Sequence, residues 1–146
     1  MKVEQKEKLA SLLGEDVKFD CKMANYTTLR VGGRAEALCE IKNNDILSKV
    51  ISFISREKLD YEILGFGSNV IVTDGGVEGI IIVLKGTFRK IEKREKDATL
   101  LRVGAGCSLK DFLNYCRKEG LGGIEFLAGI PGTIGGAVSS ACRNPG

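Results

Sequence analysis

The sequence predicts a domain of mixed helices and strands, on three observations. Residues 35–64 have the pattern of a β-α-β unit: an alternating segment, an amphipathic helix and a short apolar strand. Residues 87–94 and 98–104 are predicted to form a β-hairpin. Nineteen glycines among 146 residues are too many for a helical bundle, and their short clusters mark turns at defined places.

The first half of the chain is expected to begin with a short helix over residues 4–13, ended by Gly14. Residues 15–34 lack clean periodicity and are interpreted as an extended segment that closes in a glycine turn. The helix of the β-α-β unit has N-cap candidates at residues 43–45. Its predicted buried face consists of Ile46, Leu47, Val50, Ile51 and Ile54. Short strands are expected at 70–72 and 79–84.

The second half is expected to continue the hairpin into a helix. In the hairpin, Ile91, Leu101 and Val103 are predicted to face inward. Ser108 is the predicted cap of the helix, with Asp111 at the capping-box position. The helix should bury Leu109, Phe112, Leu113 and Cys116 and end at Gly120.

Composition excludes several classes of function. The net charge is only +3, and basic and acidic residues interleave, so a nucleic-acid binder is disfavoured. The absence of histidine excludes catalytic triads and histidine metal sites, and no metal site is expected. Five scattered cysteines indicate a reducing compartment. No secretory signal or membrane-spanning run is visible, so the predicted location is cytoplasmic.

Two glycine-rich segments are the strongest candidates for a binding site. Residues 65–69 (GFGSN) sit between two predicted strands, where backbone N–H groups and the Ser68 and Asn69 side chains suit a pyrophosphate. This loop alone is better explained as an ordinary tight turn. Residues 129–137 (GIPGTIGGA) are expected to form a fixed turn with exposed N–H donors and a hydroxyl at Thr133. Together the two segments favour a large, doubly anionic cofactor, although neither matches a Rossmann fingerprint or a P-loop.

Three single residues have two interpretations each. Cys107, at a predicted helix start, is either a reactive thiol with a lowered pKa or a buried inert thiol, and the second is favoured. Arg30, beside a glycine pair, either approaches a phosphate or lies in an ordinary surface loop. Glu125 is interpreted as a cap or a loop hydrogen-bond acceptor rather than a catalytic base.

Four blocks, in order, resemble the bacterial UDP-N-acetylenolpyruvoylglucosamine reductases (UDP-N-acetylmuramate dehydrogenases). They are residues 25–33 (NYTTLRVGG), 64–70 (LGFGSNV), 74–79 (DGGVEG) and 120–137 (GLGGIEFLAGIPGTIGGA). The resemblance implies an α+β fold of the vanillyl-alcohol-oxidase type, in which two lobes clasp FAD. It further implies that NADPH reduces the flavin, which passes hydride to the enolpyruvyl group of a UDP-sugar in peptidoglycan synthesis.

The resemblance also implies the residues that contact the cofactor. The loop after the second strand should wrap the FAD pyrophosphate, and the closing segment should run beside the pyrophosphate and the flavin. The FAD-binding residues expected on this basis are Gly65, Phe66, Gly67, Ser68, Asn69, Val70, Gly129, Ile130, Pro131, Gly132, Thr133, Gly135, Gly136 and Ala137.

No catalytic residue is expected within this chain. The family's proton-donating serine, arginine and glutamate lie after the Gly-Gly-Ala segment, where residues 139–146 depart from the family pattern. The chain is therefore interpreted as residues 1–24, a helix and lead-in, and residues 25–146, a FAD-binding domain incomplete at its C-terminus. Its lobes are placed at about 25–86 and 87–146. Two alternatives remain: a non-catalytic FAD or nucleotide-binding module, and another flavoprotein oxidoreductase of the same superfamily.

Overall fold

A four-stranded sheet forms the centre of the first half of the molecule. The computed structural model describes residues 1–94 and 97–143. The strands are β1 (Val17–Lys22), β2 (Arg34–Ile41), β3 (Tyr61–Leu64) and β4 (Val77–Leu84), in the spatial order β1-β2-β4-β3. β4 runs parallel to both β2 and β3, and β1 is antiparallel to β2. The three parallel strands therefore end at one edge of the sheet, where ligands of such sheets commonly bind.

Two helices cover one face of this sheet. They are α1 (Val3–Leu13) and α2 (Asn44–Glu57). α2 begins where the Asn43 side chain accepts a hydrogen bond from the Ile46 N–H at 2.9 Å, and it ends at Lys58 in the left-handed conformation. The core beneath the helices consists of Leu9, Leu13, Ala37, Cys39, Ile41, Val50, Phe53, Ile54, Ile80 and Ile82.

Loops rather than helices cover the opposite face. The buried cluster there consists of Met23, Ala35, Leu38, Leu64, Val72, Ile81 and Val83. Met23 and Val72 come from the two loops that precede β2 and β4, so this face is closed by irregular chain. The candidate site develops from these loops.

The second half of the molecule is built on a hairpin and two helices. β5 (Ile91–Arg94) pairs antiparallel with β6 (Asp97–Val103), and α3 (Leu109–Lys118) and α4 (Ile134–Arg143) follow. The Phe88 carbonyl accepts the Gly106 N–H at 2.8 Å, which connects the chain after β6 to the turn after β4. Ser108 caps α3 by accepting the Asp111 N–H at 2.9 Å.

Most predicted elements are confirmed: α1, the β2-α2-β3 unit, β4, the hairpin pairing and the Ser108 cap. Leu109 and Cys116 are buried in α3, whereas Phe112 and Leu113 are half-buried. The turn predicted around Lys96 lies outside the described residues. The division of the chain at residues 25 and 87 stays a prediction.

Four local predictions are wrong. Residues 17–22 form β1, whose alternating half-buried and exposed positions follow the sequence VKFDCK. Residues 70–72 form no strand, although Val72 is buried against the neighbouring loop and Ile71 is 77% exposed. Residues 86–89 form a 3₁₀ turn, so the hairpin starts only at Ile91. Residues 134–137 begin α4 instead of a turn.

No helix within residues 1–94 and 97–143 combines the length and the apolar character needed to cross a membrane.

The core beneath α2 provides a direct test of this fold. Phe53 is 2% exposed, so Phe53→Ala should lower the free energy of unfolding by about 3–5 kcal/mol through a cavity that the surrounding helices and strands cannot fill. Val3→Ala is the control, at a position in α1 that is 73% exposed. It should change the free energy of unfolding by less than about 0.5 kcal/mol. Urea denaturation of the two variants measures the difference, and equal effects would contradict the arrangement of the core.

Candidate functional site

The loop after β3 lies at the carboxyl edge of the parallel strands. Gly67 has a φ of +67°, and a Cβ there would overlap the Tyr26 carbonyl oxygen. The Gly67 carbonyl accepts the Thr28 N–H at 2.9 Å. Only glycine suits this position, because the backbone conformation and the close approach of the 26–28 segment both exclude a side chain.

Residues 25–33 and 65–76 lie side by side over the loop-covered face of the sheet. The Gly33 N–H donates to the Thr73 carbonyl at 2.9 Å, and the Met23 N–H donates to the Gly33 carbonyl at 2.9 Å. Thr27 is buried, and its hydroxyl donates to the Val31 carbonyl at 3.0 Å. The first three blocks of the family resemblance are thus assembled into one unit by backbone hydrogen bonds.

The closing glycine-rich segment leads into α4. The Thr133 hydroxyl, at a residue that is 7% exposed, accepts the Gly136 N–H at 3.2 Å and so caps the helix. The Gly132 carbonyl accepts the Leu109 N–H at 3.0 Å, which joins this segment to the start of α3. A Cβ on Gly135 would lie 2.9 Å from the Ala105 carbonyl oxygen, so this helix start packs directly on the chain after β6.

The two glycine-rich segments meet, although Ser68 and Pro131 are 63 positions apart in the sequence. The Ser68 hydroxyl donates to the Pro131 carbonyl at 2.9 Å. A Cβ on Gly65 would lie 2.8 Å from the Thr133 hydroxyl oxygen. The structure therefore brings together the start of the first segment and the middle of the second, with Gly65 allowing the close approach.

The remaining predicted site residues lie around this junction. Phe66, Asn69, Val70, Gly129, Ile130 and Gly136 are exposed, and Gly132, Gly135 and Ala137 are half-buried. Phe66 and Ile130 are large apolar side chains left open to solvent on the two segments. Such side chains suit the flat faces of an aromatic ligand.

The expectation of exposed N–H donors is wrong for the start of α4. The N–H groups of Ile134, Gly135 and Ala137 donate to the carbonyls of Cys107, Ala105 and Thr133, each at 2.9 Å. The Gly136 N–H is held by the Thr133 hydroxyl. These groups anchor α4 to the chain around it and are therefore not available to a ligand.

The N–H groups of the loop after β3, unlike those at the start of α4, remain free within the part of the chain that the structure describes. Among the described residues, the N–H groups of residues 66–70 have no hydrogen-bond acceptor in the protein. Successive free N–H groups in a glycine turn form a concavity that attracts anions. The donors for an anion thus come from the loop after β3, whereas the closing segment provides a rigid wall next to it.

The three single-residue candidates have different outcomes. Cys107 is 1% exposed, and burial raises the pKa of its thiol, which confirms the favoured interpretation of a buried inert thiol. Glu125 accepts the Gly123 N–H with both carboxylate oxygens, at 3.0 and 2.9 Å, which confirms its interpretation as a loop acceptor. Arg30 lies exposed in the left-handed region, with a φ of +54°.

A separate cavity lies away from these segments and was not foreseen. It has a volume of about 280 Å³ and lies between the start of α2 and the hairpin, where Asn44, Thr87, Lys90 and Arg102 contribute to its lining. No predicted site residue lines it. Its lining residues occur far apart in the sequence without a recognisable pattern, so no local sequence signal predicted the cavity.

The loop before α4 makes a pH-dependent contribution to stability. Hydrogen bonds from the backbone N–H groups of Glu125 itself and of Gly123 lower the pKa of the Glu125 carboxyl. A lowered pKa in the folded state means that the stabilisation is present above the unfolded pKa of 4.5 and is lost as the pH falls through the folded value.

We therefore expect Glu125→Gln to lower the melting temperature at neutral pH and to have no effect at a pH below the folded pKa. Thermal denaturation across this pH range, with an NMR titration of the Glu125 carboxyl, measures both quantities. A carboxyl titration at or above the ordinary glutamate range would contradict the loop geometry.

Comparison with known proteins agrees with the geometry. A family model described as an FAD binding domain matches residues 35–143. The UDP-N-acetylenolpyruvoylglucosamine reductase of Nitrosococcus oceani is 44% identical over 118 residues, which cover 80% of this chain and 38% of that protein. UDP-N-acetylenolpyruvoylglucosamine reductase 2 of Symbiobacterium thermophilum is 39% identical over 125 residues, which cover 85% of this chain and 40% of that protein.

A solved structure extends the match to three dimensions. The UDP-N-acetylenolpyruvylglucosamine reductase of Thermus caldophilus superposes with a TM-score of 0.68 at 35% identity, covering 81% of this chain and 40% of that chain. The chain spans about two fifths of the length of these relatives. These matches confirm the resemblance carried by the four blocks and the predicted α+β fold. The chain belongs to the FAD-binding domain family.

Proposed function

We propose that this chain is the FAD-binding part of an NADPH-dependent reductase that converts UDP-N-acetylenolpyruvoylglucosamine to UDP-N-acetylmuramate in peptidoglycan synthesis. The observation that carries the proposal is the junction of the two glycine-rich segments, through the hydrogen bond from Ser68 to Pro131 and the contact of Gly65 with Thr133. This junction gathers the predicted cofactor-binding residues at the edge of the sheet where the parallel strands end.

The loop after β3 fits the diphosphate of FAD. The N–H groups of residues 66–70 are free to donate, and Gly65 and Gly67 let the loop pack closely against Thr133 and Tyr26. Asn69 and Ser68 add polar side chains at the same turn. We assign the diphosphate to residues 65–70 on these grounds.

The closing segment fits a supporting role beside the cofactor. Thr133 and Gly135 hold the start of α4 against neighbouring chain, so residues 129–133 and 135–137 present a fixed surface next to the loop. The exposed side chain of Ile130 lies on this surface. We assign it to the part of FAD that extends from the diphosphate toward the flavin.

The chemistry of the reaction comes from the cofactor and not from side chains of this chain. FAD, when bound, supplies hydride transfer from NADPH to the enolpyruvyl group of the UDP-sugar. The residues described here bind the cofactor and fix its orientation. Most of the length of these relatives lies outside the matched region, and we place the groups that contact NADPH and the UDP-sugar there.

We place the protein in the cytoplasm because four thiols, those of Cys21, Cys39, Cys107 and Cys116, are free in the structure. Three of them are buried, where burial raises the thiol pKa, for Cys39 to about 12. Buried free thiols are typical of proteins in a reducing compartment.

Flavin retention by the purified chain tests cofactor binding. The chain, mixed with FAD and passed through gel filtration, should emerge with the flavin absorbance. Gly67→Ala should abolish retention, because a Cβ at φ +67° overlaps the Tyr26 carbonyl and displaces the loop.

Gly75→Ala is the matched control, since a Cβ there meets only the Thr73 hydroxyl oxygen at 3.8 Å. This variant should retain flavin like the unaltered chain. Absence of flavin from the unaltered chain would overturn the proposal, and equal retention by both variants would overturn the assignment of the loop.

A chimera tests the reductase function itself. Replacing the matched region of the Nitrosococcus oceani reductase by this chain should give a protein that binds FAD and oxidises NADPH over many turnovers only when UDP-N-acetylenolpyruvoylglucosamine is present to reoxidise the flavin. The same chimera carrying Gly67→Ala should lose both properties. A chimera that binds FAD without turning over this substrate would favour a non-catalytic module or a flavoprotein with another substrate.

A further inference from the structure

The glycine-rich segments that form the candidate site contain no positive charge. Residues 59–84 and 119–142 include no lysine or arginine, but they include Asp60, Glu62, Asp74, Glu78, Glu119 and Glu125. A diphosphate carries two negative charges, and free N–H groups compensate them only in part. A cationic side chain from elsewhere would add to this compensation through charge-assisted hydrogen bonds.

A third segment, residues 23–33, lies beside the loop after β3, and Arg30 is its single basic residue. Residues 23–33 contain no other lysine or arginine. Thr28, two residues before Arg30, donates its N–H to the Gly67 carbonyl at 2.9 Å. The Arg30 backbone is therefore within about 7 Å of Thr28, the residue that is hydrogen-bonded to the loop assigned to the diphosphate.

The backbone around Arg30 is held in an unusual conformation. Its φ is +54°, a region that residues other than glycine adopt rarely. The Arg30 N–H donates to the Thr27 carbonyl at 3.1 Å, and the Thr27 hydroxyl bonds the Val31 carbonyl, so the turn is fixed on both sides.

Two nearby cations, Arg34 and Lys18, are engaged with other side chains. Arg34 donates to Asp20 at 2.6 Å, and Lys18 donates to the Tyr26 hydroxyl at 3.0 Å. Within residues 1–94 and 97–143, Arg30 forms no ion pair. Its guanidinium is exposed, and its planar donors match a phosphate with two parallel hydrogen bonds.

We propose that Arg30 is a specificity-determining residue of the cofactor site, whose guanidinium pairs with the diphosphate of FAD held by residues 65–70. This inference rests on the proposed function, since it takes the loop after β3 as the diphosphate site. Arg30 thereby makes the site selective for a flavin that carries a diphosphate over one that carries none.

Titrations of the chain with FAD and with riboflavin, which lacks phosphate, test the pairing. Arg30→Gln should raise the dissociation constant of FAD about ten- to hundredfold and leave that of riboflavin unchanged. The salt dependence of FAD binding should weaken in the same variant, because one screened charge contact is lost. The dissociation constant of FAD for Arg30→Lys should lie between those of the unaltered chain and Arg30→Gln, because the charge is kept and the two parallel hydrogen bonds are lost.

Two further variants separate binding from folding. Arg56→Gln, on α2, removes the same charge away from the site and should bind FAD like the unaltered chain. Arg30→Gly removes the side chain from a left-handed position, so the melting temperature should stay equal or rise while FAD binding weakens as in Arg30→Gln.

Three results would overturn the inference or its basis. FAD binding by Arg30→Gln equal to that of Arg56→Gln would overturn the role of Arg30 alone. An equal loss of affinity for FAD and for riboflavin would show that Arg30 only supports the loop. That result would also overturn the inference. Absence of FAD binding by the unaltered chain would instead overturn the proposed function.

Discussion

The contact between Gly65 and Thr133 is the constraint on which the site depends. A side chain at residue 65 would lie 2.8 Å from the Thr133 hydroxyl oxygen, and that hydroxyl already caps α4 through the Gly136 N–H. This contact therefore lies where the edge of the sheet meets the start of α4. The Ser68–Pro131 hydrogen bond joins the same two segments. A side chain introduced at residue 65 would therefore displace the hydroxyl that caps α4.

The distribution of hydrogen bonds gives the two glycine-rich segments different roles. The N–H groups that begin α4 are all engaged with neighbouring chain, which makes this segment a rigid support. The N–H groups of residues 66–70 have no acceptor among the described residues, which leaves them for a ligand. A site of this kind combines a fixed wall with a donor-rich loop, and such preorganisation lowers the entropy lost on binding.

Much of the site could be predicted because its residue types are unusual. Gly67 requires glycine for its φ of +67°, and the spacing of Gly65, Gly67 and Ser68 is visible in the sequence. The engagement of the α4 N–H groups could not be predicted, since their hydrogen-bond partners are set by chain far away. The engagement of the α4 donors by Ala105 and Cys107 is one such long-range effect.

The sequence by itself determined the local elements: the Asn43 and Ser108 caps, the β2-α2-β3 unit and the positions of the glycine turns. These follow from short-range patterns of capping, periodicity and turn conformation. Only the tertiary structure decided that β4 lies between β2 and β3, that residues 134–143 form a helix despite two glycines, and that Ser68 meets Pro131. Those features depend on packing between distant segments, which local propensity does not encode.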